Sequence, residues 1–445
     1  MATIDLSLGN DPAQNVQAIT AAAQPGNVVN LTGGTYPVDS TIKVNGASIV
    51  GGVGGTTLAV SRDALPTEVG PNIYRPHVDL YGFCKVERIK VVGRNLLKQQ
   101  AGEAPGVLAT EYEHAFRANG GASVAFFGCS SDFVWGDGVY IGQNGIAHDC
   151  TIDDFTSEGV GRQVVAVAHH TGVGVIRGVR ILGSTRRGGI DIEPILAREV
   201  SGVEITGCDL AFTRLLPLTV GGHGNVSRLN IHDNIFRGNE VRFQNNNLDT
   251  VFSDIRFERN SHTGSVSPQV RFHRVIRAVV MDNVTTRSGS PYTGTMPAIR
   301  VTECPDILVQ RNRAAGVPVC VGINGDLTLT TGTIGAPVGD RNANTHTPAV
   351  GGQNLTEPVL GWVAPPPPPP PPPVIIPPIS ITPIDLNTAT LEEIAALPAT
   401  LLGKKKAALI IGARPVTTLD QLEPLYGISK STIAAIRDSQ RTVQR

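Results

Sequence analysis

The chain has 445 residues, of which 41% are hydrophobic and only 5% aromatic, with 50 glycines and a formal net charge of −1. Such a chain can build a core and is long enough for two or three domains. The balanced charge makes no general case for a nucleic-acid or membrane-surface protein.

The start, Met1-Ala2-Thr3-Ile4-Asp5, has neither a basic n-region nor an apolar stretch, so no signal peptide is expected. The chain is then expected to be cytoplasmic or exported by another route, such as release inside a virus particle. No apolar run of 18 residues occurs, and no membrane-spanning helix is expected. Residues 11–24 are predicted as one helix. Asp11 suits the N-cap, Pro12 the first helical position, and Val16, Ile19, Ala22 and Ala23 form an apolar stripe. Pro25-Gly26 ends it. The first strands follow at Val28-Val29-Asn30-Leu31, Gly33-Gly34-Thr35-Tyr36 and Ile42-x-Val44. Residues 61–78 and 94–113 are polar, proline-containing and aperiodic, and are expected to project as loops.

From residue 139 a two-beat apolar motif recurs. Its pairs are Val139-x-Ile141, Val165-x-Val167, Ile190-x-Ile192, Leu218-x-Val220, Val241-x-Phe243, Val270-x-Phe272 and Ile299-x-Val301, at steps of 26, 25, 28, 23, 29 and 29 residues. A second series runs out of phase: Val179-x-Ile181, Val203-x-Ile205, Leu229-x-Ile231, Ile255-x-Phe257, Val279-x-Met281 and Ile307-x-Val309. Side chains alternate along a strand, so each pair reads as a short strand with two residues in and one out. A period in the twenties means one solenoid coil per repeat. Two strand series joined by Gly- and Asn-rich turns predict an all-β chain, a parallel β-helix, with the helix at 11–24 covering its open end. Asn234, Asn260, Asn283 and Asn312 recur at turns, as an asparagine ladder would. The six cysteines (84, 129, 150, 208, 304 and 320) include no C-x-x-C pair, and are expected as small buried thiols rather than a metal or redox site.

The coils weaken near 320–345, which sets a β-helix domain at 1–345. Residues 346–383 read as a Pro-rich linker. Its run Pro365 to Pro373 would form a stiff polyproline spacer of roughly 28 Å at about 3.1 Å per residue. Residues 384–445 change to helical patterning, with breaks at Pro398–Gly403, Pro415 and Tyr426-Gly427, and predict a small all-α domain.

The outward middle residues of the first series are Tyr140, Ala166, Asp191, Thr219, Arg242, Arg271 and Arg300; two positions later come Gly142, Ala168, Glu193, Gly221, Gln244, His273 and Thr302. Asp191 and Glu193 therefore face outward together, roughly 7 Å apart along one strand. Asp137 and Arg162 open neighbouring coils. Three readings stay open. Asp191 and Glu193 could be the catalytic carboxylates of a glycosidase. A lyase would use an Arg or Lys base with carboxylates on calcium. Otherwise the column is a glycan-binding or simply solvated charge ladder. Sugar contact would fall to Asp137, Arg162, Arg242, Gln244, Arg271 and His273 with the carboxylate pair. His169, His170 and His223 read as single polar turn residues. No metal and no cofactor are expected.

Residues 26–320 resemble the pectate-lyase-like right-handed β-helix superfamily. The entry coil Gly26-Asn27-Val28-Val29-Asn30-Leu31-Thr32-Gly33-Gly34-Thr35-Tyr36 is similar to that of its tailspike and glycoside-hydrolase branch. Trp135-Gly136-Asp137-Gly138-Val139-Tyr140, Gly161-Arg162-Gln163 and Gly189-Ile190-Asp191-Ile192-Glu193-Pro194 are similar to β-helix proteins of phage tails. The resemblance implies a right-handed β-helix in a phage minor tail protein, a tailspike or fibre-tip subunit. It also implies a homotrimer in the virion, with host envelope polysaccharide and other tail proteins as partners. The alternatives are a polysaccharide depolymerase and a bacterial DNA- or wall-binding protein. Residues 384–441 resemble the tandem helix-hairpin-helix domain of DNA-uptake competence proteins, through Ile384-Asp385-Leu386-Asn387-Thr388-Ala389 and Leu425-Tyr426-Gly427-Ile428-Ser429-Lys430. That resemblance implies phosphate contact by Lys404, Lys405, Gly427 and Lys430. The first hairpin, Pro398-Ala399-Thr400-Leu401-Leu402-Gly403, departs from the family's glycine pattern, which favours protein docking over DNA there.

Overall fold

The computed structural model describes residues 2–61, 76–94, 113–182, 188–195, 198–211, 216–264, 268–288, 294–325, 329–335, 341–348, 354–360 and 411. The chain divides into two units at Val363 and Ala364, and the fold below is that of the first. The expected proline linker, the helical domain and its residues Lys404, Lys405, Gly427 and Lys430 lie outside the described residues. So do 62–75 and 95–112, the bulk of the two expected loops.

The first unit is a right-handed parallel β-solenoid of about 11 turns. Three columns of short strands run along it, and the strands within them pair in parallel, with a lone antiparallel bridge at Ile334 and Leu360. The first column is an 11-stranded sheet. It climbs from Ile42–Asn45 through Val139–Ile141, Gln163–Val167 and Gly188–Ile192 to Val321–Asn324. Its register sets Val139 on Val165, Ile190 on Leu218, and Val241 on Val270 and Ile299. This is the alternation that the two-beat motif predicts. Inside, Phe243 and Phe272 stack at 4.4 Å between ring centroids, close to one coil spacing, with Phe257 edge-on to both.

The second column carries the second series with two corrections. Ile205, Ile231 and Phe257 stack inward, but the next residue in the row is Val280, not Val279. Arg277 and Asp282 take positive φ (53° and 57°) at the two ends of that strand. These turns place Ala278 and Val280 inside and leave Val279 and Met281 half-buried. Turn geometry, not hydrophobicity, fixes the register here. Val179-x-Ile181 belongs instead to a third sheet, with Arg180 beside Thr156 and Asp209. That sheet escapes sequence reading because strands such as Ile235–Arg237 hold a single inward residue, Phe236. In the last coils the second column is not carried by Leu329, which is exposed and outside any strand. Gly332–Ile334 takes that place in the second column.

At the turn between second and third columns the asparagine ladder is present. The Oδ1 of Asn260 accepts from the Asn234 amide and Nδ2 at 3.1 and 3.0 Å, and its own Nδ2 donates to Ile231 O and Asn283 Oδ1. Asn283 and Asn312 repeat the pattern, and Asn344 extends it by one coil. The residue before each rung is left-handed: Asp233, Arg259, Asp282 and Arg311. Non-glycine residues rarely adopt this conformation. Here they are tied in pairs, Arg259 gripping Asp233 and Arg311 gripping Asp282 with two hydrogen bonds each.

The helix spans Pro12–Ala22, with Asp11 as N-cap accepting from the Gln14 amide. It buries Val16, Ile19 and Ala22 against the strands Gly34–Val38 and Ile42–Asn45 of the first coil. All six cysteines are buried free thiols. Among the described residues no helix is long and apolar enough to cross a membrane.

One inward polar residue predicts an acid response. His262 is buried in the third sheet, beside Phe236 and Thr285, with Nε2 donating to Asn239 O at 2.7 Å. Burial pushes the ring down to about 4. The folded state therefore binds fewer protons than the unfolded chain between about pH 6.5 and 4, and stability falls as pH drops through that window. The expected loss is about 3 kcal/mol. His262→Gln keeps a donor for Asn239 and removes the titration. A denaturation series should show this loss in the parent and not in the variant.

Candidate functional site: a buried polar row on the outer face of the first sheet

Outward positions of a solenoid sheet ordinarily meet water. On the first sheet several do not. Asp79, Arg117, Tyr140, Ala166 and Asp191 stack in one outward row on successive coils. Asp79 is 2%, Arg117 6% and Asp191 7% exposed. Arg117 grips Asp79 with Nε and Nη2 at 2.9 and 2.7 Å, Tyr81 donates its hydroxyl at 2.6 Å, and Asn119 adds a fourth contact. Burial and the Asp79 carboxylate hold the Tyr81 phenol above its usual range.

A second group lies at the openings of the next coils. Asp137 is fully buried, and its Oδ1 accepts from the Gln163 amide at 2.9 Å. Its Oδ2 stands 3.1 Å from Nδ1 of His114, also fully buried, and 3.7 Å from Nη1 of Arg162. Burial alone would raise the Asp137 carboxyl, but the Arg162 guanidinium, with the His114 ring and the Gln163 amide, outweighs it and holds the acid below its usual range. Burial keeps His114 neutral at pH 7. Its Nδ1 also lies 3.1 Å from the Asp137 amide nitrogen. A neutral ring can serve one partner at a time, accepting from the amide or donating to Oδ2. Tyr140 stacks on the ring at 4.6 Å. Close backbone approach shapes this corner: a Cβ on Gly161 would sit 1.9 Å from Trp135 O, so the residue before Arg162 has to be glycine.

The predicted carboxylates face outward as expected but in unequal settings. Asp191 is buried and accepts from Gln163 Nε2 at 2.8 Å, whereas the Glu193 side chain is 52% exposed and lies 3.9 Å from Arg162. Arg162 thus bridges Asp137 and Glu193, and four predicted residues come together: Asp137, Arg162, Asp191 and Glu193. The others do not join them. Arg242 and Arg271 both bind Glu240, each at 2.7 Å, and so share one carboxylate. Gln244 donates to Asn246 at 2.7 Å. His273 is half-buried, and burial with nearby arginines lowers its pKa. His170, expected in a turn, is inside the solenoid between the Cys150 amide and Ser201 O. Among the described residues no group of three or more His, Cys, Asp or Glu could hold a metal ion.

Asp79, Arg117, His114 and Glu240 were not anticipated. Val78-Asp79-Leu80 and Phe116-Arg117-Ala118 carry the same two-beat motif. Their separation of 38 residues hides it. The row is legible once the sequence between them is set aside.

Comparison with solved structures fixes the architecture. The surface adhesin PfbA of Streptococcus pneumoniae is similar at a TM-score of 0.51 and 12% identity, covering 78% of this chain and 89% of that one. The chain has the parallel β-helix fold. Weaker likenesses to this β-helix are Geobacillus virus E2 ORF18 (TM-score 0.39, 12% identity, 76% of this chain and 62% of that one) and a GH87 alpha-1,3-glucanase from Streptomyces thermodiastaticus (0.40, 14%, 81% and 69%). No protein family model and no curated protein matches the sequence.

Proposed function

We propose that this β-helix is a phage tail protein of tailspike or fibre-tip type that attaches to host envelope polysaccharide through the outer face of its first sheet. The buried polar row carries the reading. Burying charged groups costs free energy, and a merely solvated face would leave Asp79, Arg117, Asp137 and Arg162 in water. Asp79, Arg117 and Asp137, too buried for a ligand to reach, would brace the partly exposed Tyr140 and Arg162 and the open Glu193, whose phenol, guanidinium and carboxylate suit sugar hydroxyls. Assembly in the virion as a homotrimer beside other tail proteins, a capping role for the helix Pro12–Ala22, and docking by residues 384–445 belong to the same proposal.

A second reading, polysaccharide depolymerase, is favoured by one observation. Asp191 lies in the strand Gly188–Ile192 and Glu193 just beyond its end, and they differ sharply in exposure; unequal environments are what divide acid and base roles between two carboxylates. The test incubates the protein with host envelope polysaccharide and follows retention and glycan length, with Asp191→Asn/Glu193→Gln alongside. Attachment predicts retention without shortening, weakened in the variant. Shortening by the parent alone would make the protein a depolymerase. Neither retention nor shortening would sink both readings.

A further inference from the structure

Beyond the first sheet, three arginines meet at a cavity of about 520 Å³ near the last coils. Arg311 and Arg313 flank Asn312 on one turn, and Arg341 enters from the following coil. Asn312 is a ladder rung, with Nδ2 donating to Val280 O at 2.9 Å and Asn344 Oδ1 at 3.1 Å. The backbone that carries both guanidinium stems is therefore fixed before any ligand arrives. Arg311 is matched by Asp282, whose carboxyl it holds below the usual range. Arg313 and Arg341 make no ion pair within 4.0 Å among the described residues, and the Asp282 carboxylate, which also lines the cavity, acts on Arg313 only through space. Elsewhere on the solenoid the exposed Arg177, Arg180, Arg237, Arg259 and Arg277 each hold a carboxylate of a neighbouring coil. The cavity thus gathers two arginines outside any ion pair, where those five each hold one.

We propose that this cavity is an anion site that takes a carboxylate or phosphate group of an acidic saccharide. The guanidinium fork matches both groups in two-point hydrogen bonding. Val284 and Ala343 give the wall apolar area for a sugar face, and Thr345 adds a hydroxyl. The source of the anion rests on the glycan reading above; the site itself does not. A duplex is the poorer fit. It needs a basic track, and the same outer face upstream alternates Lys90–Asp132, Arg180–Asp154 and Arg237–Asp209 pairs.

The experiment is calorimetric titration of the full chain with an oligogalacturonide, a glycerol-phosphate oligomer, a neutral dextran oligomer and a short DNA duplex. Parent protein is compared with Arg313→Gln/Arg341→Gln and with Arg180→Gln. The two acidic oligomers separate carboxylate from phosphate. The double variant should bind the preferred acidic oligomer at least about tenfold more weakly, with Arg180→Gln and the melting temperature unchanged. Equal binding of neutral and acidic oligomers overturns the proposal. So does acidic binding that survives the double substitution, or preference for the duplex. If acidic oligomers fail to bind while host polysaccharide is still retained through Asp191 and Glu193, this site falls and the attachment reading stands.

Discussion

Asn260→Ala should destabilise the solenoid by about 4 kcal/mol. The amide is 2% exposed and makes four side-chain hydrogen bonds. Alanine strands the Asn234 amide and Nδ2 without an acceptor and Ile231 O without its donor, inside a wall that water does not reach. Each such buried orphan costs about 1–3 kcal/mol. Coils of a solenoid contact only their neighbours, so the loss should be greatest near the substitution. Native-state hydrogen exchange should show faster opening at the amides of Asn234 and Asn260 than near Val124. The exposed Asn246→Ala serves as a control expected to change little. Uniform protection in both variants would mean the ladder contributes nothing beyond packing.

Asp137→Asn is expected to lower stability by about 3 kcal/mol and host-glycan retention by about tenfold or more. Asparagine keeps an acceptor for the Gln163 amide. It removes the buried carboxylate beside the largely buried Arg162, and breaking a buried pair costs more than the pair is worth. A double-mutant cycle with Arg162→Gln separates the two contributions. If the single losses simply add, Asp137 and Arg162 do not act as a unit. A loss of stability with full retention of glycan would make the cluster structural only.

The sequence discloses the fold better than the site. Val139, Val165, Ile190 and their successors announce the first sheet because each strand holds two inward apolar residues. The second sheet was read with a one-residue slip at Val279, because the pattern of apolar letters there conflicts with the turns at Arg277 and Asp282, and the turns win. The third sheet includes strands with a single inward residue, as at Phe236, and one residue carries no period. For the site, strand parity alone was enough to send Asp191 and Glu193 outward. It could not foresee that Asp191 is buried, because burial on an outer face depends on what neighbouring coils carry. Nor could it pair Arg242 and Arg271 with Glu240, which stands outside the alternating positions. The partnership of Asp137 with His114 joins residues 23 apart across a coil boundary, and only the register of the stack shows it.

The length of a coil is not constrained by its neighbours. One turn of the ladder takes 23 residues between Asn260 and Asn283, while 38 separate Asp79 from Arg117 in the row that binds them directly. Fifteen additional residues are absorbed without shifting the strands on either side by one position. A scaffold with this tolerance separates the part that must be conserved for assembly from the part that can be exchanged. Peptides grafted between Asp79 and Arg117 would leave the paired strands on either side in register.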